Sequence, residues 1–88
     1  MIAPGAISRA ADPIYFFDAY DGDRLFADSE GTRCHSLEVV REEATRILLE
    51  IAHDNISGTE LSRTLMVVAR DADQAISAEI RLTFSQAK

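Results

Sequence analysis

The segment Ile76-Ser77-Ala78-Glu79-Ile80-Arg81-Leu82-Thr83-Phe84 decides the fold, because its apolar and polar residues alternate without interruption. A period of two is typical of a β-strand with one buried face and one face left for water or a partner. The segment therefore predicts a sheet that is covered on one side. It names no activity, and no other segment carries a catalytic or ligand-binding motif that does.

The size and composition of the chain set the class of protein. Its 88 residues make one domain with one core. Hydrophobic residues at 47% and charged residues at 27% are typical of a folded globular protein. The formal net charge of −6 disfavours nucleic acid, because phosphate binding needs clustered Lys and Arg. No apolar run approaches the roughly 20 residues that span a bilayer. We therefore expect neither nucleic acid nor a membrane as a partner.

The start of the chain and its single cysteine bear on location. Residues 1–12 are rich in Ala and contain no hydrophobic stretch of signal-peptide length. Cys34 is the only cysteine, so an intrachain disulfide is excluded and a reducing compartment fits best. We expect a flexible N-terminal tail over residues 1–12, a single domain over residues 13–88, and a cytoplasmic location.

Two short segments rich in aromatic and apolar residues predict the first hairpin. Ile14–Tyr20 is its first strand and Arg24–Ala27 its second, with the turn dipeptide Asp21-Gly22 between them. The next element begins at Ser36, which is a good helix N-cap, and Glu38 suits the positive end of the helix dipole. Apolar residues then recur at spacings of three and four, which predicts an amphipathic helix ending near His53 or Asn55: Leu37, Val40, Ala44, Ile47, Leu48 and Ile51.

The register of the first hairpin determines which residues share a face. A three-residue loop ending at Gly22 pairs Asp18 with Arg24 and so matches opposite charges. A two-residue loop at Asp21-Gly22 would instead place Asp18 beside Leu25. We prefer the three-residue loop, although a slip of one residue would reverse the faces of the second strand.

The second half of the chain predicts a second hairpin. A loop over Asn55–Thr64 leads to a strand at Leu65–Arg70, which pairs with the alternating segment and aligns Ala69 with Ile76. The order is β-β-α-β-β. We therefore predict an α+β fold with one amphipathic helix packed on a four-stranded, mainly antiparallel sheet.

Acidic residues around the first hairpin raise the question of a cation site. A calcium loop with Gly22 as its invariant glycine would need oxygen-bearing side chains at Phe17 and Ala19, so that motif fails. Turn chemistry explains these residues better, since turns favour Asp and Gly. We predict no metal site in the cluster: Asp18, Asp21, Asp23, Asp28 and Glu30.

The soft metal ligands are also the candidates for a nucleophile and its base. Cys34, His35 and His53 match no zinc spacing, and no orienting partner or elbow motif accompanies them. His53 suits the negative end of the helix dipole. We predict no catalytic residue, no cofactor and no enzymatic activity.

The sheet face away from the helix is the surface we single out. The preferred register places four apolar residues there among charged neighbours, which indicates a contact surface: Phe16, Phe26, Met66 and Val68. Base stacking on these aromatics is disfavoured, because flanking positive charge is lacking. We favour self-association through this face or through a sheet edge. The alternative is that the tail or the Asn55–Thr64 loop covers it.

Four motifs occur together along the chain: Tyr15-Phe16-Phe17-Asp18, Asp21-Gly22, Asp28-Ser29-Glu30-Gly31 and Leu37-Glu38-Val39-Val40-Arg41-Glu42-Glu43-Ala44. In combination they resemble a family of short alphaproteobacterial proteins, common in rhizobia, that is known only as a domain of unknown function. The resemblance covers residues 13–84. This chain has a longer lead than usual, and Gln74 stands where the last hairpin often carries Gly. The resemblance implies a bacterial, cytoplasmic, stand-alone module without a known activity or cofactor.

These patterns favour a non-enzymatic protein-interaction module that forms a homodimer. The alternative is a regulatory domain that binds a metal or a small molecule. Such a domain would use the acidic cluster of the first hairpin, or the set Cys34, His35 and His53.

Overall fold

The computed structural model describes residues 12–55 and 62–85. It confirms the α+β class, with one helix and an antiparallel sheet, and adds one strand to the predicted four. The elements are β1 (Ile14–Asp21), β2 (Arg24–Phe26), β3 (Thr32–Arg33), α1 (Leu37–Asn55), β4 (Ser62–Arg70) and β5 (Ile76–Ser85). The predicted tail lies outside the described residues up to residue 11, as does the central part of the predicted Asn55–Thr64 loop.

The sheet has the order β2-β1-β4-β5, and its strands pair antiparallel throughout. β1 pairs along one side with β4, from which the helix separates it in sequence. Its other side is shared, because β2 pairs with the end of β1 and β3 pairs with the start. β5 therefore lies at one edge, while β2 and β3 together form the other.

The helix begins where the sequence predicts. The Ser36 hydroxyl accepts a hydrogen bond from the Val39 N–H at 3.2 Å, and the Ser36 carbonyl accepts one from Val40 at 3.1 Å. This is N-cap geometry. The predicted stripe faces the sheet except at its first residue, since Leu37 is 50% exposed.

The core lies between α1 and the sheet, where the helix packs on β4 and β5 to similar extents and less on β1. Alternate residues of β1 and β4 meet the helix, as a half-buried sheet requires. The buried apolar residues are Phe17, Ala19, Cys34, Val40, Ala44, Leu48, Leu65, Val67 and Ala69.

The expected register of the first hairpin is wrong. The structure pairs Asp21 with Arg24 and Ala19 with Phe26, so the loop is Gly22-Asp23 rather than either loop expected from sequence. Gly22 has φ +64° at the first central position, where a type II′ turn takes its glycine. The turn therefore follows the conformational demand of Gly22 and not the Asp18–Arg24 charge match.

The shift reverses the faces of β2, because it moves the strand by an odd number of residues. Phe26 lies on the same side of the sheet as Ala19, which is the side of the helix. Leu25 lies on the opposite side, next to Tyr20. The prediction that Phe26 points away from the helix is therefore wrong, and β2 also ends at Phe26 rather than at residue 27.

The second hairpin departs from its expected register by two residues. Ala69 lies opposite Ala78 rather than Ile76, and an irregularity between Ala69 and Arg70 absorbs the difference. A displacement of two preserves the faces of a strand. The alternation of the opening segment is therefore read correctly: Ala78 and its alternate partners face the helix.

Candidate interaction surface

The side of the sheet away from α1, here called the open face, carries three of the four residues singled out from sequence. Phe16 and Met66 are half-buried, and Val68 is only 7% exposed. Phe26 lies on the other side of the sheet and is 49% exposed. The structure therefore does not bring the four together as one apolar patch.

Phe16 is covered by its own chain. The Arg70 guanidinium lies over the ring, 5.4 Å from its centroid. Gly31 lies so close that a Cβ there would be 3.0 Å from Cε1 of Phe16 and 2.6 Å from Cγ2 of Ile14. With φ +79°, this position also suits glycine conformationally. The Asp28-Ser29-Glu30-Gly31 motif thus packs on this part of the open face.

A buried carboxylate stands at the centre of the open face. Asp18 is 6% exposed, and the Arg70 guanidinium donates to its Oδ2 at 2.5 Å and to its Oδ1 at 3.1 Å. The backbone N–H of Asp28 also donates to Oδ1, at 2.9 Å. The bond from Arg70 lowers the pKa of Asp18, which burial opposes and the Asp28 bond reinforces. Because β1 and β4 are neighbours, Asp18 and Arg70 close the middle of the face.

Asp28 satisfies the backbone in the gap between β2 and β3. Its carboxylate accepts from the N–H groups of Phe17 at 3.0 Å, Glu30 at 3.0 Å and Gly31 at 3.1 Å. Burial alone would raise the pKa of Asp28, but these three donors outweigh burial and lower it. The side chain therefore replaces the strand partner that Phe17 lacks at this edge.

The rest of the acidic cluster does not converge with these two residues. Asp21 faces the helix side and is paired with Arg63, whose Nε donates to it at 2.9 Å. That pairing lowers the pKa of Asp21. Asp23 and Glu30 are exposed. Within residues 12–55 and 62–85, no group of three or more His, Cys, Asp or Glu side chains is placed to hold a metal ion.

The Cys34, His35 and His53 set is not assembled. Cys34 is 2% exposed, and burial raises the pKa of its thiol, which disfavours the thiolate that a nucleophile needs. His35 precedes α1, while His53 lies in its last turn and is exposed. The 19-residue helix spans about 28 Å, so the two imidazoles lie at opposite ends of it.

The outer surface of α1 carries a shallow depression that is open to solvent, with Arg46 paired to Glu43 and Glu50 nearby. No helix in the described part of the chain has both the length and the apolar character to cross a bilayer. The depression is lined by Glu38, Arg41, Glu42, Thr45, Arg46 and Leu49.

The edge strand β5 is the longest strand of the sheet, with ten residues. One side of it pairs with β4, and no described strand lies on its other side. On the open face its Glu79 and Arg81 are 42% and 58% exposed, and the guanidinium donates to the carboxylate at 2.7 Å. β5 therefore presents an accessible row of backbone groups beside one charge of each sign.

The Asp18–Arg70 pair is the feature that the sequence analysis missed. The available signal was Asp18 itself, because a carboxylate in the middle of an apolar strand must find a partner when the strand is buried. The identity of that partner depends on β1 lying beside β4, which no local pattern reveals.

The fold and these surfaces define a small α+β domain whose central charges are paired internally and whose β5 edge is open. Residues 14–83 match the family described as Domain of unknown function (DUF6894), and the chain belongs to that family. This confirms the resemblance drawn from the four motifs. Neither the curated proteins nor the solved structures gave a match to the chain.

Proposed function

We propose that this domain is a non-enzymatic protein-interaction module that forms a homodimer through the free edge of β5. The observation that carries the proposal is the length of this edge: ten residues, with no described strand on the outer side. An exposed edge is a template for pairing with another strand. Edge pairing gives affinity through main-chain hydrogen bonds and requires no apolar patch.

The composition of β5 supports this use. Proteins that avoid edge pairing place Lys or Pro in their edge strands, and β5 contains neither. The opposite edge is different, because it is divided between two short strands with Asp28 between them. Of the two edges, β5 is the one suited to adding a strand.

The open face supports docking less well than the edge does. Arg70 and Gly31 cover Phe16, and Val68 is buried. We therefore place the contact on the sheet edge, which is the second of the two surfaces considered from sequence. The unpaired Cys34 fits a reducing compartment, so we propose a bacterial cytoplasmic location for the module.

Sedimentation equilibrium with a proline variant tests the proposal. In Glu79→Pro the substituted residue loses an N–H that would join an edge ladder, so we expect the wild type to be dimeric and the variant to be a folded monomer. Ala72→Pro is the matched control. Its site is the second residue of the Asp71–Gln74 turn, where Pro is favoured, so it should remain dimeric.

Two outcomes would contradict this account. A wild-type chain at its monomer mass of 9.7 kDa throughout the micromolar range would contradict self-association. A folded Glu79→Pro variant that is still dimeric would contradict the use of the edge. Far-UV circular dichroism establishes whether each variant is folded.

A thermal-shift screen tests the metal- or small-molecule-binding alternative, because a ligand of the native state raises its melting temperature. The proposal expects no rise with calcium, magnesium or zinc, since Asp18, Asp21 and Asp28 already have partners inside the protein. A saturable rise with one metal would favour the alternative.

A further inference from the structure

We infer that the partner on β5 is a second copy of this chain, paired antiparallel in the one register that places Ile80 on the two-fold axis. This inference rests on the proposed function and specifies its contact. It follows from two properties of β5: which backbone groups point outward, and the order of its charged residues.

The outward groups follow from hydrogen bonds elsewhere in the sheet. The Phe17 N–H donates to Asp28 and so points away from β4, and the Gly22 N–H donates to the Thr64 carbonyl. N–H and C=O groups alternate direction along each strand of an antiparallel sheet. Carried through the β1–β4 and β4–β5 registers, the alternation turns four residues outward on β5: Ser77, Glu79, Arg81 and Thr83.

An antiparallel ladder joins outward-pointing residues to outward-pointing residues. In a symmetric pair of β5 strands, the two-fold axis must therefore pass through a residue and not between two residues. Five axis positions keep the charged pair near the centre: Ala78, Glu79, Ile80, Arg81 and Leu82.

The charges select one of these positions. An axis at Glu79 places Glu79 opposite Glu79 of the second copy, and an axis at Arg81 places two arginines opposite each other. Like charges directly opposite are destabilising, and opposite charges stabilise. An axis at Ala78 or Leu82 leaves neither charge opposite its complement. Only the axis at Ile80 pairs each Glu79 with the Arg81 of the other copy.

The neighbouring positions match in the same register. On the helix side, Ile80 meets Ile80 of the second copy and Ala78 meets Leu82, which continues the apolar face of the sheet. On the open face, Ser77 meets Thr83. Side-chain character along β5 is thus symmetric about Ile80, and self-pairing places like with like except for the charges, which are complementary.

The helices are compatible with this arrangement. A two-fold axis perpendicular to the sheet leaves both copies of α1 on the same side. Because α1 packs on β4 and β5 to similar extents, its axis lies about one strand spacing from the dimer axis. The two helices would then be about 10 Å apart, which is the upper end of the helix-packing range.

The Glu79 and Arg81 side chains already contact each other within one chain. In the dimer, the two copies form a ring of four alternating charges on the exposed face. Reversing one charge replaces two attractive contacts by two repulsive ones, which should weaken dimerisation about tenfold or more.

Charge reversal in three variants tests the register. Glu79→Arg and Arg81→Glu should each be folded and largely monomeric at a concentration where the wild type is dimeric. The double variant Glu79→Arg/Arg81→Glu restores the complementarity and should be dimeric. Glu42→Arg on the exposed side of α1 makes the same net-charge change as Glu79→Arg and should dimerise like the wild type.

Mixing the two single variants gives the sharpest result. The Glu79→Arg chain carries two arginines at these positions and the Arg81→Glu chain carries two glutamates, so only the mixed pair is complementary. Native mass spectrometry of the equimolar mixture should show the heterodimer in large excess over either homodimer.

The outcomes separate this register from the proposed function. A dimeric wild type whose single variants also dimerise, with heterodimer only at the statistical level, overturns the register and leaves self-association standing. A wild type that is monomeric throughout overturns both.

Discussion

Asp18 and Arg70, 52 residues apart in sequence, form a two-point ion pair that joins β1 to β4 at the centre of the open face. The carboxylate is nearly inaccessible, while the guanidinium also covers the Phe16 ring and donates to the Gln74 side chain. A face that the sequence presented as an apolar docking surface is thus closed by the protein's own charges. The β5 edge is what remains available.

The ion pair predicts loss of stability in acid. The pKa of Asp18 lies below its ordinary value of 3.8 when the protein is folded. Its contribution is therefore present above that value and is lost as the pH falls through the lower folded pKa. The free energy of unfolding in urea should decrease between about pH 7 and about pH 3, and Asp18→Asn should reduce that decrease.

Asp23→Asn is the matched control for this experiment, since Asp23 is exposed in the first hairpin turn. It should retain the full pH dependence of the wild type. An Asp18→Asn variant with unchanged pH dependence would show that the pair contributes nothing to acid sensitivity.

Asp28 should be important for stability because its carboxylate holds three backbone N–H groups. Asp28→Ala should lower the free energy of unfolding by about 2 kcal/mol, since buried donors lose their acceptor. Asp28→Asn keeps one acceptor oxygen and should lose less. Asp73→Ala, at an exposed turn, serves as the control for chemical denaturation. Equal effects at residues 28 and 73 would contradict the assigned role.

Two glycines with positive φ should differ in their tolerance of a side chain. Gly22→Ala meets no atom within 4 Å and should cost about 1 kcal/mol for its backbone conformation alone. Gly31→Ala has the same conformational cost and also meets Ile14 and Phe16, so about 2 kcal/mol or more is expected. Equal melting temperatures for the two variants would mean that Gly31 does not pack as described.

Gln74 has φ +72°, at the position where the resemblance in sequence led us to note a missing glycine. Gln74→Gly should raise the free energy of unfolding by about 0.5 kcal/mol, because relief of the left-handed conformation outweighs the added chain entropy. Gln74→Ala keeps the conformational cost and loses the bond to Arg70, so it should not stabilise. A loss of stability in both variants would mean that this bond outweighs the backbone cost.

Periodicity predicted most of the elements. The 3.6-residue stripe and the Ser36 cap located α1, and the alternation along β5 identified its two faces even though the register was displaced by two residues. That error was harmless because the side-chain period of a strand is also two. Long, strongly patterned elements carry enough local information to be read in this way.

The first hairpin shows where such reading fails. β2 has three residues, all exposed, so no buried face fixes its register and the turn chemistry at Gly22 decides. The resulting odd displacement moved Phe26 to the other side of the sheet. The partners of Asp18 and Asp28 were also missed, because they depend on contacts between distant segments.

Self-association through β5 is the central claim, and the solution mass of the wild-type chain tests it most directly. Sedimentation equilibrium in the micromolar range should give about twice the monomer mass of 9.7 kDa, with the mass of Glu79→Pro falling to the monomer value. A wild-type chain that remains at 9.7 kDa up to high micromolar concentration would contradict the account.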